Sequence, residues 1–191
     1  MFIYKKKYFL IIENTKDLDL SKIKLSNKFI IIYRNNRKIK KIEEIIKFRK
    51  QCRTKKIEFY VSNNLTLMNL TKADGIYISA YNLNLSYSNL KRTRFKIIGS
   101  AHNIKELNIK IIQGCDSIIY SRLFKTNYIN KPGFLGIVKF NLLSLSRKEN
   151  LVPLGGINFK NLNKMNMINS NSFTLKSEVK KKPAKIFSRL F

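Results

Sequence analysis

The chain has 191 residues, with 39 Lys+Arg against 11 Asp+Glu, a net charge of +28 at neutral pH and 44% hydrophobic residues. That length suits one domain, expected over residues 1–191, and the apolar fraction excludes disorder as a global description. Seven Gly and three Pro exclude collagen-like and Pro-rich classes, and no apolar run approaches the roughly 18 residues of a membrane span, so no membrane partner is expected.

The charge has a compositional source. The chain holds 30 Lys, 27 Ile and 22 Asn but only 4 Ala, the residues an A/T-biased genome encodes most readily. The lysines run from Lys5–Lys7 to Lys180–Lys182 without forming one block, which reads as a solvated coat rather than a nucleic-acid stripe. Nucleic-acid binding is therefore expected to be at most non-specific, while the coat still steers anionic ligands. Cys52 and Cys115 have neither CxxC spacing nor a histidine cluster, which excludes a disulfide framework and zinc. They read as buried residues of a reducing compartment, and a cytoplasmic location is expected. The run Tyr8–Ile12 is shorter than a secretory h-region, so no leader is expected.

In chain order, YFLII at 8–12 predicts the first strand, followed by a connection over 13–28. FIIIY at 29–33 predicts the second. Residues 37–54 predict a helix, with Ile39, Ile42, Ile45, Ile46 and Phe48 near i, i+3, i+4 spacing. A third strand is expected from IEFYV at 57–61, then a short helix over 64–72, and a fourth strand from GIYIS at 75–79. A weaker helical segment at 83–94 leads to FKIIG at 95–99. Residues 103–113 predict a helix with Asn103 as N-cap and Gly114 as stop. SIIYS at 117–121 is the sixth strand, followed by a basic loop at 122–134 and a helix over 138–147. NLVPL at 150–154, a helix at 160–168 and SFTLK at 172–176 complete the pattern, with a final basic segment at 180–190. Short apolar runs of this kind fit strands buried on both faces of a parallel sheet. Eight of them alternating with helices predict a compact (β/α)8 TIM barrel of the α/β class. The alternative, a flavodoxin-like open sheet, requires two or three of these strands to be wrong.

In a barrel, chemistry gathers where strands end. Arg34 follows the second strand and is placed to grip phosphate, although it also reads as one of nine arginines on a basic surface. Ser62, Asn63 and Asn64 follow the third strand, and Ser79, Ala80, Tyr81 and Asn82 the fourth. No carboxylate lies among them, and a hard cation needs one or two. Asp74 precedes its strand and faces the stabilising end. Ser100 and His102 follow the fifth run. His102 is the one histidine, the group whose ordinary pKa suits proton transfer near neutrality, with helix capping as its plainer role. The loop after the sixth strand carries Arg122, Lys125 and Lys131 and reads as either a lid or a solvated insertion. Gly155-Gly156 follows the seventh strand and Lys176-Ser177-Glu178 the eighth, the two places where barrels commonly bind phosphate.

Together these residues resemble the thiamine-phosphate synthase family, including its TenI-like thiazole tautomerase branch, over about residues 29–178. ADGIYIS at 73–79, GSAH at 99–102, GCD at 114–116 and the PLGGIN–LKSEV pair track the family's A-D-G-V-H-L-G, S-x-H, G-A-D, I-G-G-I and V-V-S-A patterns in order. The resemblance implies a (β/α)8 barrel. It implies small phosphorylated substrates: a synthase joins hydroxymethylpyrimidine diphosphate to thiazole phosphate and releases pyrophosphate with Mg²⁺. It assigns Gly155, Gly156 and Ser177 to the thiazole phosphate and Ser100 and His102 to the S-x-H motif, whose histidine is the proposed acid/base of the tautomerase branch. Arg34 falls on the pyrophosphate-gripping arginine, and Lys131 on the lysine after the sixth strand.

The departures concern the metal. The Gln and Lys flanking that arginine become Ile32 and Asn36, with Arg37 as a substitute one step on. Asn63 and Asn82 stand where the family has aspartates, so the resemblance implies no firm cofactor and a weakened Mg²⁺ site. The function expected is a divergent thiamine-phosphate synthase. The alternatives are a tautomerase using His102 and a non-catalytic barrel binding a phosphorylated ligand. No oligomeric state is read from the sequence.

Overall fold

The computed structural model describes residues 7–23, 26–35, 42–126 and 133–176. Eight strands, β1 (Lys7–Ile12), β2 (Phe29–Tyr33), β3 (Glu58–Ser62), β4 (Gly75–Ile78), β5 (Lys96–Ala101), β6 (Ser117–Ser121), β7 (Asn150–Leu154) and β8 (Ser172–Leu175), close into a barrel in chain order. All neighbours are parallel, including β1 with β8, where Tyr8 pairs with Phe173. Every predicted strand is present within two residues of its expected bounds, and β2 and β8 are buried along their whole length. The expected (β/α)8 barrel is the observed fold, and the open-sheet alternative is excluded by the closure.

Period-two alternation sorts each strand into an inner and an outer set. Phe9, Ile32, Tyr60, Tyr77, Ile98, Ile119 and Val152 belong to one apolar cluster inside the barrel. Leu10, Ile31, Phe59, Ile118 and Phe173 belong to a second cluster outside it, with Ile45, Phe48, Leu107 and Phe140 of the helices. Those helices are α1 (Ile42–Thr54), α2 (Leu65–Thr71), α3 (Ile104–Ile112) and α4 (Gly136–Leu145). Asn103 caps α3 as expected, its Oδ1 accepting the Glu106 amide at 2.9 Å, and Gly114 stops it at φ +77°.

Two expected helices are corrected. Residues 85–92 and 162–167 form 3₁₀ helices instead. Their sequences, LSYSNLKR and LNKMNM, are rich in Ser and Asn, whose side chains compete for backbone donors and favour tighter turns. Asn84 does this directly by accepting the Ser86 amide at 2.9 Å. The connection over 13–28 contributes three short 3₁₀ turns. The start of the helix expected at 37 and the segment at 180–190 lie outside the described residues.

The N-terminal end of the barrel is closed by charge. Glu58 accepts from Lys7 at 2.9 Å, Tyr60 at 2.8 Å and Lys96 at 3.3 Å. Burial pushes its carboxyl up, but these hydrogen bonds and the two ammonium charges outweigh it and hold the group below its ordinary value. Asp74 and Asp116 each accept one amide from the second residue of a neighbouring strand, Phe59 of β3 and Ile97 of β5, at 2.7 Å. Asp74 thus serves the stabilising end, as expected. Cys52 and Cys115 are free and buried, and burial pushes both thiols up to about 12. Among the described residues no helix is long and apolar enough to cross a membrane.

Candidate functional site

The mouth of the barrel is built from strand ends. Arg34 follows β2 with its amide bonded to the Ile12 carbonyl at 2.8 Å. Its positive charge is felt at the hydroxyl of Tyr77, which donates to Ser100 Oγ at 2.8 Å. Burial pushes the Tyr77 phenol up, and the Arg34 charge and the Ser100 hydrogen bond only partly offset that. The Tyr77 proton therefore stays in place at neutral pH, and Tyr77 and Ser100 form a fixed polar pair within reach of the Arg34 charge. Ser100 lies within β5 rather than past it. Beside this layer Thr174, at 1% exposure, has an Oγ1 without a hydrogen-bond partner among the described residues.

His102 stands apart from Ser100, on the rim. Glu106, one helical turn later, accepts the His102 amide at 2.7 Å and lies 2.9 Å from its Nδ1. Nδ1 is thereby engaged by the carboxylate, and Nε2 is the ring nitrogen left for another partner. The pair lines a cavity of about 590 Å³ together with Tyr81, Ser121, Arg122 and Lys139. The Tyr81 ring sits 5.9 Å from the imidazole, centroid to centroid.

Gly155 and Gly156 take φ +100° and +69°, conformations that only glycine adopts without strain. A Cβ on Gly156 would come within 2.6 Å of the Phe124 and Lys125 carbonyls, so the loop also needs glycine for packing. The Gly155 carbonyl accepts the Phe124 amide at 3.0 Å, and the Gly156 carbonyl accepts from Asn161 at 2.7 Å. Neither glycine amide donates to an acceptor among the described residues. Lys176, at the end of β8, pairs with Glu13 across the rim at 3.3 Å. Ser177, Lys131 and Arg37 lie outside the described residues.

Asn63 and Asn82 meet at the ends of β3 and β4. Asn63 Oδ1 accepts from the Ser79 amide at 3.0 Å and from Asn82 Nδ2 at 3.1 Å, and its Nδ2 donates to Ser79 Oγ at 2.9 Å. Both lone pairs of that amide oxygen are thereby engaged. A neutral donor set already bonded to itself does not fit a hard dication, and among the described residues no three His, Cys, Asp or Glu side chains cluster. The Asn82 carbonyl is held from behind by Lys110 Nζ at 2.7 Å and Gln113 Nε2 at 2.9 Å. Lys110 is itself buried, and burial holds its pKa down.

The sequence reading passes over Tyr77, Glu106 and Lys110, and it names Tyr81 only as a residue past the fourth strand. For Glu106 the four-residue spacing from His102 was the available signal.

The chain is a (β/α)8 barrel with Arg34, Ser100, His102 and the glycine pair at or near the C-terminal ends of its strands. The chain belongs to the thiamine monophosphate synthase family, whose model matches residues 12–178. Among curated relatives it is 29% identical to the thiamine-phosphate synthase of Prochlorococcus marinus subsp. pastoris over 65% of this chain and 36% of that protein. It is 28% identical to that of Methanococcus vannielii over 57% of this chain and 53% of that protein. The chain thus matches about a third to a half of the length of these relatives. Among solved structures, thiamine phosphate pyrophosphorylase from Pyrococcus furiosus superposes with a TM-score of 0.75 at 15% identity, covering 98% of this chain and 94% of that one. The 3-keto-L-gulonate-6-phosphate decarboxylase from Vibrio cholerae superposes at 0.62 and 13% identity, covering 97% of each chain. Both structural likenesses concern the fold.

Proposed function

We propose that the chain is a divergent thiamine-phosphate synthase that joins hydroxymethylpyrimidine diphosphate to thiazole phosphate without a bound Mg²⁺. The observation that carries this reading is that the Gly155 and Gly156 amides donate to no acceptor among the described residues, beside a mouth that offers Arg34, Arg122 and Lys176. Two donors in a glycine turn suit the thiazole phosphate, with Ser177 as a third. As pyrophosphate departs, negative charge grows on the leaving group and must be met by fixed cations. Arg34, whose charge reaches the Tyr77 hydroxyl, is one of these cations, and the family resemblance assigns Lys131 to the same pyrophosphate. The self-bonded Asn63–Asn82 pair supports a degraded metal site, so no step is routed through a dication.

A second reading has its own support. The His102–Glu106 pair at 2.9 Å engages Nδ1 and leaves Nε2 for a ligand of the rim cavity, an arrangement that suits proton transfer on a bound thiazole phosphate, as in the tautomerase branch. Ser100, tied to Tyr77, then serves as a positioning hydroxyl. His102→Ala is expected to abolish such proton transfer while phosphate binding persists.

The test is incubation of the protein with both precursors, with and without Mg²⁺, and detection of thiamine phosphate by mass. Product formed equally in the presence of a chelator supports the metal-free synthase. Thiazole phosphate bound without product moves the assignment to the tautomerase or to a binding barrel.

A further inference from the structure

We propose that the cavity at the opposite end of the barrel, between α1, α2 and the segment leading into β5, binds a nucleoside phosphate. It encloses about 600 Å³ and is lined by Arg49, Arg53, Met68, Lys72, Arg94 and Phe95, with Asp74 at its edge. Asp74 precedes β4, and Arg94 and Phe95 precede β5, so the cavity opens at the N-terminal ends of the strands, away from the mouth.

Its electrostatics are one-sided. Arg49 is buried, donating through Nε to the Lys72 carbonyl at 3.1 Å and through Nη2 to Asp74 Oδ1 at 2.8 Å. The other Asp74 oxygen accepts the Phe59 amide. The one carboxylate of the cavity is therefore fully used by the wall. Arg53, Lys72 and Arg94 are exposed and have no acidic partner among the described residues. Compositional drift does not account for this set. Drift supplied 30 Lys against 9 Arg, yet three of those nine arginines line this cavity. Guanidinium groups are the planar, bidentate binders of phosphoryl oxygens.

The apolar side of the cavity adds the second half of the ligand. Phe95 is half-buried against the core, and the Arg94 guanidinium lies 5.6 Å from its ring centroid. Met68 is buried beside it. With the guanidinium over the ring, its own outer plane, backed by the aromatic, is the surface on which a planar base stacks. Inorganic phosphate would use the cations and leave this wall idle. A nucleic-acid strand would call for an extended groove, whereas this is a half-open concavity with room for one small ligand.

The test is calorimetric titration of the intact protein with ADP, with inorganic phosphate and with a single-stranded oligonucleotide. The expected result is one ADP per chain, bound more tightly than phosphate. That affinity falls about tenfold in Arg53→Ala and in Arg94→Ala, falls further behind in Phe95→Leu than phosphate binding does, and is unchanged in Arg34→Ala. Arg53 and Arg94 are exposed, so their truncation leaves the fold intact, and circular dichroism of each variant checks it. The proposal is overturned by absence of ADP binding, or by equal affinity for ADP and phosphate. It is equally overturned by loss in Arg34→Ala with retention in Arg53→Ala and Arg94→Ala, which places the ligand at the mouth. Oligonucleotide binding that is tighter than ADP and insensitive to Phe95→Leu assigns the cations to the general coat instead.

Discussion

Asn63 and Asn82 differ from aspartates only in bearing NH₂ where a carboxylate has oxygen, and that difference inverts what the pair attracts. As amides, one donates to the other at 3.1 Å. As carboxylates, the same two groups would repel each other and draw in a dication. The double variant Asn63→Asp/Asn82→Asp is therefore expected to melt below the parent without metal and to regain its midpoint in millimolar Mg²⁺, with the parent indifferent to Mg²⁺. Thermal unfolding with and without the ion checks this, and an equal shift in the parent would remove the case for a lost metal site. Both asparagines, Arg34, His102 and the glycine pair were legible in the sequence because strand ends are easy to locate once the strands are. Tyr77 was not. It sits within an apolar run and counts there as core, and its partner Ser100 is 23 residues away on the next strand. A hydrogen bond across strands leaves no periodic trace.

The strands were legible for the reason that makes them strands of a barrel. Both faces are buried, so each appears as an uninterrupted apolar run. Helix type was less so, because Leu85–Arg92 and Leu162–Met167 have helical spacing but Ser- and Asn-rich backbone chemistry that pulls them into 3₁₀ turns. The seams of the barrel were invisible in the sequence, and they differ. β1 and β2 share five register pairs, whereas β7 and β8 share one, Leu154 with Thr174. Strands held by fewer ladder bonds open at lower cost. The β8 segment is accordingly expected to exchange its amide hydrogens faster than the β1–β2 pair, read by hydrogen–deuterium exchange with mass spectrometry. Equal protection of the two would show that the ring opens as one unit.

At the scale of the whole molecule the +28 charge acts on itself before it acts on any partner. Like charges spread over one surface repel, and salt screens them over about 10 Å at 0.1 M. The thermal midpoint is expected to climb by about 5 °C between about 10 mM and 300 mM NaCl, followed by circular dichroism. A midpoint falling with salt would mean that ion pairs such as Glu58 with Lys7 and Lys96 outweigh the repulsion. The closure of β1 on β8 gives this charge another consequence. β1 begins at residue 7 and its second partner ends at residue 175, so while the chain is being made β1 keeps a bare edge until nearly all the described strands have emerged. Such an edge invites pairing with other nascent chains. Two chains that each carry +28 repel one another, so the charge that strains the folded surface opposes edge-to-edge pairing during that wait.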